Sequence, residues 1–366
     1  MKQRFSVIVA IDNDYELTSN FIENLLNNTC FSNGELIIVV DGGNDHRTLN
    51  YLLEKSQQCS FIKIIHNKIK SGYSKANNLG YKKSNGDYLV FINSDVFPFP
   101  GSIVRLINYL EDNPNCGAVQ GLLIYPQNLL VQSTGHLFMD NCNTHVYLGS
   151  SPQNPFVQTV GKRQALTTAF TAMHAGVFSE NGMFDEEYYN AYEGMELTLK
   201  ISLKGRECIY YPAAVAYHIT GGSRNFLNYN DKLSGILFWT RWKEKITPDI
   251  ADYLRPQITT CMQKEIYFLI LCSDICGWRK TLADLKIKTS GEIIIHPSGQ
   301  NKSLNLYYEL PYSALNYKGT YLFITDNIYD LAQNKNWVHV RNNKKDLIID
   351  SHANIVPFYV LNGEQK

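Results

Sequence analysis

The feature that most limits what this chain can become is a buried apolar strand running straight into a carboxylate, Gly86-Asp-Tyr-Leu-Val-Phe-Ile-Asn-Ser-Asp95. Tyr88 to Ile92 is a continuous β-prone run, the pattern of a strand covered on both faces, as in a parallel sheet. Asn93-Ser94-Asp95 follows at once, and Pro98 and Pro100 oppose continuation of that strand. The carboxylate is thereby held at the carboxyl end of a central strand, the edge at which open α/β sheets bind ligands. Asn93 and Asp95, two residues apart, suit a hard divalent cation that carries a diphosphate and takes only one or two protein carboxylates. Taken alone, the triplet is more readily a helix cap, because Asn, Ser and Asp all cap well. The rest of the chain decides between the two.

The same strand-then-acid pattern recurs upstream. Phe5 to Ile11 reads as a buried strand, and Asp12-Asn13-Asp14 opens a helix carrying Leu17, Phe21, Leu25 and Leu26. Glu35 to Val40 is a second buried strand, ended by Asp41-Gly42-Gly43-Asn44-Asp45. A helix through Leu49, Leu52 and Leu53, a strand at Phe61 to Ile65 and a helix over Ser71 to Lys83 lead to the Tyr88 strand. Strands alternating with helices at this spacing imply βαβ units, right-handed crossovers and a parallel sheet. Three strand ends then carry acids, Asp12, Asp41 and Asp95, and their convergence on one crevice is better explained by a polar ligand than by three separate caps. Glycines after Asp41 permit close backbone approach by a base or ribose. Gly72 and Lys75 sit where a helix amino terminus could meet the same ligand.

Farther on, Ile103 to Leu110 reads as a helix, Gly117 to Ile124 as a strand and Gly135 to Tyr147 as an irregular pair of strands. A helix is expected from about Glu193, with Met195, Leu199 and Leu203 four apart and Gly205 as its stop. Two strands follow, Glu207 to Tyr211 and Ala213 to Tyr217, the second ending on His218. From 228 to 285 the pattern is helical, with an aromatic-basic surface around Trp239, Arg241, Trp242 and Lys243 whose basic residues are either acceptor contacts or simply solvated. From Lys286 short alternating runs, Glu292 to His296, Leu304 to Tyr308, Tyr321 to Thr325, Trp337 to Val340 and Leu347 to Ile349, suggest a small all-β region. The expected organisation is therefore 1–227, 228–285 and 286–366.

Length and charge bound the function. A chain of 366 residues suggests two domains, and equal Lys+Arg and Asp+Glu counts of 34 give no electrostatic reason to expect nucleic acid. The eight cysteines lie without metal-type pairing and read as reduced thiols of a cytosolic protein. The apolar amino-terminal run reads as a first strand and not a signal peptide, because it passes into polar residues with no small-residue cleavage site. Ile266 to Trp278, interrupted by Ser273 and Asp274, is too short to cross a bilayer. A soluble protein is expected, compatible with peripheral attachment at the inner face of the plasma membrane and with a homodimer.

The order of these motifs resembles glycosyltransferase family 2, which has the GT-A fold. The residues carrying the resemblance are Ser6-Val-Ile-Val-Ala10, Glu35 to Asp41, Gly72-Tyr-Ser-Lys-Ala-Asn-Asn-Leu-Gly80, Gly86 to Asp95, Phe184-Asp-Glu-Glu-Tyr-Tyr189 and Tyr217-His-Ile-Thr-Gly-Gly-Ser223, across about residues 4 to 245. The nearest likeness is to the rhamnosyltransferase-like branch of bacterial surface-polysaccharide enzymes. It implies an α/β fold with a Rossmann-like mixed sheet and helices on both faces, a UDP- or dTDP-sugar donor, a divalent metal (Mn2+ or Mg2+), inversion at the anomeric carbon, and a glycan or lipid-linked acceptor. Carried over by position, Asp41 matches the acid at the donor's base, with Ala10, Asp12, Gly72, Lys75, Asn93, Ser94 and Thr168 lining the donor site. Asn93 and Asp95 match the metal motif in an Asn-x-Asp form, and His218 matches a further metal ligand.

One departure affects the chemistry. The family's acceptor base is usually the Asp of a Glu-Asp pair opening a helix, and here that segment reads Glu193-Gly194-Met195-Glu196-Leu197. Transfer to a hydroxyl needs a carboxylate within hydrogen-bond reach. Glu193 and Glu196, three apart on the first helical turn, are the candidates, with Glu196 ahead because its matched position is also acidic in the family. Each also suits a helix amino terminus, and Glu196 can pair with Lys200. The competing readings are a non-catalytic scaffold that binds nucleotide-sugar or glycan, supported by Gly194, and a nucleotidyltransferase, which would need a nucleoside triphosphate.

Overall fold

The computed structural model describes residues 3–12, 14–42, 45–140, 142–219, 229–261, 266–271, 275–285, 291–294, 320–325, 346–358 and 360. These divide into two compact units, Met1–Leu137 with Tyr147–Ile246, and Phe138–Val146 with Thr247–Lys366.

The first unit begins with three βα repeats and a fourth strand. β1 (Gln3–Ile11), α1 (Tyr15–Asn28), β2 (Gly34–Asp41), α2 (His46–Gln58), β3 (Ile62–Asn67), α3 (Tyr73–Tyr81) and β4 (Gly86–Ile92) follow the expected order, and β4, β1, β2 and β3 are parallel neighbours. β2 is buried along its whole length, which is why it lacks a polar alternate face. Asp14 caps α1 by accepting from Leu17 N at 3.0 Å, and Asp45 caps α2. The short strand β5 (Val96–Pro98), α4 (Ser102–Asp112), β6 (Cys116–Ile124) and β7 (Val131–Ser133) come next, and the chain then leaves this unit through the two-stranded pair of β8 (His136–Met139) with β9 (Cys142–His145), which fall from Phe138 on in the second unit. β10 (Gly161–Arg163), β11 (Phe170–His174), α5 (Ala175–Glu180), α6 (Glu193–Leu203), β12 (Glu207–His218) and α7 (Tyr229–Trp242) complete the unit.

The sheet runs β10-β12-β6-β11-β4-β1-β2-β3, and β11 lies antiparallel between β4 and β6, so the sheet is mixed. Alternate residues of β1 feed separate cores on its two faces. Val7, Val9 and Ile11 pack with Phe21 and Leu25 of α1 and Leu106 of α4, and Ile8 packs with Ala76 of α3 and Leu197 and Ile201 of α6. Helices therefore cover both faces.

One expectation is revised here. Glu207 to Tyr217 is one strand and not two: β12 is continuous and absorbs the break at Pro212 as a register shift between Tyr211 and Val215. The Tyr88 strand does end before the prolines, β4 stopping at Ile92, and Pro98 closes the separate short strand β5.

The second unit holds α8 (Ile250–Cys261), β13 (Ile266–Leu271), α9 (Ile275–Leu285), β14 (Gly291–Ile294), β15 (Thr320–Thr325), β16 (Leu347–Asp350) and β17 (Ile355–Pro357). Ile266–Leu271, expected inside a helical segment, is a strand instead, and it pairs in parallel with both β14 and β15. A parallel pair needs a crossover, and α9 lies between β13 and β14. The carboxyl-terminal sheet is thus part of an α/β unit and not an all-β one. The expected strands at Leu304 to Tyr308 and Trp337 to Val340 lie outside the described residues, as does Gly221-Gly222-Ser223. Among the described residues no helix is long and apolar enough to cross a membrane.

Candidate active site

The carboxyl ends of β1, β2 and β4 lie side by side, and Asp12, Asp41 and Asp95 follow them along that one edge. Asp95 comes closest to a metal-site geometry. The turn Asn93-Ser94-Asp95 is closed by Val96 N donating to Asn93 O at 3.1 Å, and Asn93 N donates to Ala169 O at 3.0 Å. β5 then runs antiparallel to the end of β12, which sets Val96 opposite His218. Ile219 N donates to Asp95 O at 2.9 Å, and His218 Nε2 lies 3.2 Å from Asp95 Oδ1. The two halves of the expected metal site are brought together across 123 residues by three residues of strand pairing. Asp95 is 8% exposed.

The residues fit a divalent cation. His218 Nδ1 lies 2.6 Å from the Gln132 Oε1 acceptor and Nε2 lies 3.2 Å from Asp95 Oδ1; with the ring proton on Nδ1, Nε2 would offer a lone pair to a cation shared with the Asp95 carboxylate. Two acceptors 3.2 Å apart match adjacent ligands of an octahedral ion, which at about 2.1 Å from each ligand would stand roughly 3.0 Å apart. Asn93 Oδ1 in the same turn is buried without a hydrogen-bond partner among the described residues, a spare oxygen ligand. No group of three or more His, Cys, Asp or Glu gathers there or elsewhere among the described residues. An ion at this place would complete its shell with solvent or diphosphate oxygens.

At the end of β2, Asp41 organises a loop. It accepts from Asn67 Nδ2 at 2.7 Å, from Ser71 Oγ at 2.8 Å, from Ser71 N at 3.0 Å to each oxygen, and from Gly72 N at 2.8 Å. The amide of Gly72 is therefore spent on Asp41. Gly72 has a φ of +88°, and a Cβ there would meet Tyr189 O at 2.5 Å, so both conformation and space require glycine. Asp12 forms an ion pair with Lys70, and that hydrogen bond holds the Lys70 ammonium above its ordinary pKa range. Lys75 is exposed on α3, Ala10 lies one residue before the end of β1, and Ser94 is half-buried in the turn. Lys70 was missed in the sequence, although a cation two residues before a glycine that opens a helix is a signal for an anionic ligand.

At the start of α6, packing explains Gly194. An ideal Cβ at 194 would stand 2.1 Å from Thr168 Oγ1 and 2.8 Å from its Cγ2. Thr168 is 3% exposed, and its Oγ1 pairs with the Tyr73 hydroxyl at 3.2 Å. A threonine thus fills the space that a side chain at 194 would take. Replacing Gly194 with alanine is expected to destabilise the protein by about 1–3 kcal/mol, the ordinary cost of overpacking, and Gly194→Ala with Thr168→Gly to recover most of it. Denaturant midpoints of the three variants check this.

Glu193 and Glu196 are 6% and 2% exposed. Glu196 lies in an ion pair with Lys200 at 3.1 Å and is 4.0 Å from Arg241. Arg241 is not solvated on a basic surface: it binds Asp185 at 2.9 Å and Glu187 at 2.8 Å, fixing α7 to the segment before α6. Burial pushes the nearby Tyr188 hydroxyl well above its ordinary pKa.

A mixed sheet of this order, helices on both faces and acids at the carboxyl edge define a GT-A α/β fold, and a crystal structure of GalNAc-T7 with UDP, GalNAc and Mn2+ shares it, with a TM-score of 0.56 at 14% identity over 78% of this chain and 55% of that one. Residues 6–175, just under half of the chain, match the family Glycosyl transferase family 2. An uncharacterized glycosyltransferase of Haemophilus influenzae is 25% identical over 59% of this chain and 65% of its own length. The O-antigen biosynthesis protein RfbC of Myxococcus xanthus is 22% identical over 79% of this chain and 22% of its own. The chain thus spans less than two thirds of either relative.

Proposed function

We propose that this protein is a metal-dependent, inverting glycosyltransferase that moves a sugar from a nucleotide-sugar, a UDP- or dTDP-sugar, to a glycan or lipid-linked acceptor in surface polysaccharide synthesis. The observation that carries the reading is the Asp95–His218 pair, 3.2 Å apart at the carboxyl edge of the sheet. A divalent cation bound there offsets the negative charge of the leaving nucleoside diphosphate. Asp95, His218 and Asn93 would hold it. The loop folded on Asp41 and the Lys70–Asp12 pair would border the nucleotide, and Thr168, between the Asn93 turn and α6, would border the sugar.

The acceptor hydroxyl attacks the anomeric carbon in a single displacement, the glycosidic carbon–oxygen bond to the diphosphate breaks, and the hydroxyl proton passes to a carboxylate of α6. Single displacement inverts the anomeric centre. Glu193 and Glu196, both on the first turn of α6, are the two candidates for that base.

Incubation with a panel of nucleotide-sugars and Mn2+ is expected to release nucleoside diphosphate from one of them, with EDTA suppressing release. The scaffold reading, which the filled position at Gly194 favours, predicts nucleotide-dependent thermal stabilisation and no release with any donor.

A further inference from the structure

The β6–β7 pairing contains a defect next to His218. Leu123 is paired with Ser133 and Ile124 with Val131, so Gln132 is an extra residue on β7 with no partner of its own. Bulges of this kind turn a side chain away from the direction that regular pleating would give it. Ser133, one residue on, is held by Gln120 Nε2 at 3.1 Å and itself accepts from Gly135 N at 3.1 Å, so the bulge is anchored. The redirected side chain is 4% exposed and ends with Oε1 2.6 Å from His218 Nδ1.

We propose that Gln132 is a positioning residue: it holds His218 as the Nδ1–H tautomer and aims Nε2 at a cation shared with Asp95. An amide oxygen can only accept, so it admits one tautomer and excludes the one whose Nε2–H would point at Asp95. Ligating histidines owe their orientation and basicity to such an acceptor on the far nitrogen, and loss of it commonly weakens metal binding 10- to 100-fold. The inference rests on the metal reading of Asp95 and His218.

The test is Mn2+ alone, titrated into the full chain and followed by the loss of the free-ion electron paramagnetic resonance signal. Gln132→Met, close in shape and without the acceptor, is expected to weaken binding roughly 10- to 100-fold. Gln132→Glu keeps an acceptor at the same reach and is expected to bind within about threefold of the parent. Gln132→Met that binds like the parent overturns the proposal. Equal losses in both variants also overturn it, because they would assign the amide a packing role or place its nitrogen against the ring. Failure of the parent chain to bind Mn2+, or undiminished binding by His218→Ala, removes the metal reading itself and this inference with it. A parent that binds while Gln132→Met is unaffected removes the inference alone.

Discussion

Asp95→Ala is expected to lower Mn2+-dependent donor turnover by about 10²- to 10³-fold, with little loss of stability. The magnitude follows from what is removed: a charge that holds the group stabilising the leaving diphosphate, in a site where one lost electrostatic partner alone costs about 10² to 10³. The fold tolerates the change because the Asp95 contribution to packing is its backbone carbonyl, which accepts from Ile219 N at 2.9 Å and is kept in alanine. Steady-state rates beside a Mn2+ titration check the assignment. Turnover within tenfold of the parent would move the cation elsewhere.

The second large effect is at α6. Glutamine in place of whichever of Glu193 and Glu196 is the base is expected to reduce transfer to acceptor by about 10²- to 10⁴-fold, the usual contribution of a general base, while leaving Mn2+ binding unchanged. Glutamine in place of the other is expected to cost about tenfold or less, through loosened contacts such as those of Glu196 with Lys200 and Arg241 rather than loss of proton transfer. Rates measured with saturating donor separate the two. If the Glu196 variant is the slower one, the base is Glu196; full activity in the double variant would exclude both.

The parallel half of the first sheet was legible because each βα repeat is written locally: an apolar run for the strand, a cap or turn residue (Asp14, Asp45 or Gly72), then a helix with its apolar stripe. The acids at the strand ends were legible for the same reason, since the residue after a buried run has to lie at the sheet edge. Ile266–Leu271 was not, because a short apolar run reads equally as buried helix or buried strand and only its parallel partners at Gly291–Ile294 and Thr320–Thr325 settle it. Arg241 was read as a surface cation because nothing local shows that Asp185 and Glu187 face it. Gln132 left no trace in the sequence at all, as a bulge is a property of two strands and not of one.

At Gly194 the sequence showed a side chain missing, and the structure shows another in its place: Thr168 Oγ1 stands 2.1 Å from where a Cβ would be. A side chain at 194 and the threonine at 168 therefore compete for one space, so the cost of changing either position depends on the residue at the other. A smaller residue at 168 is expected to make an acid at 194 easier to accommodate, which makes the two positions a coupled pair.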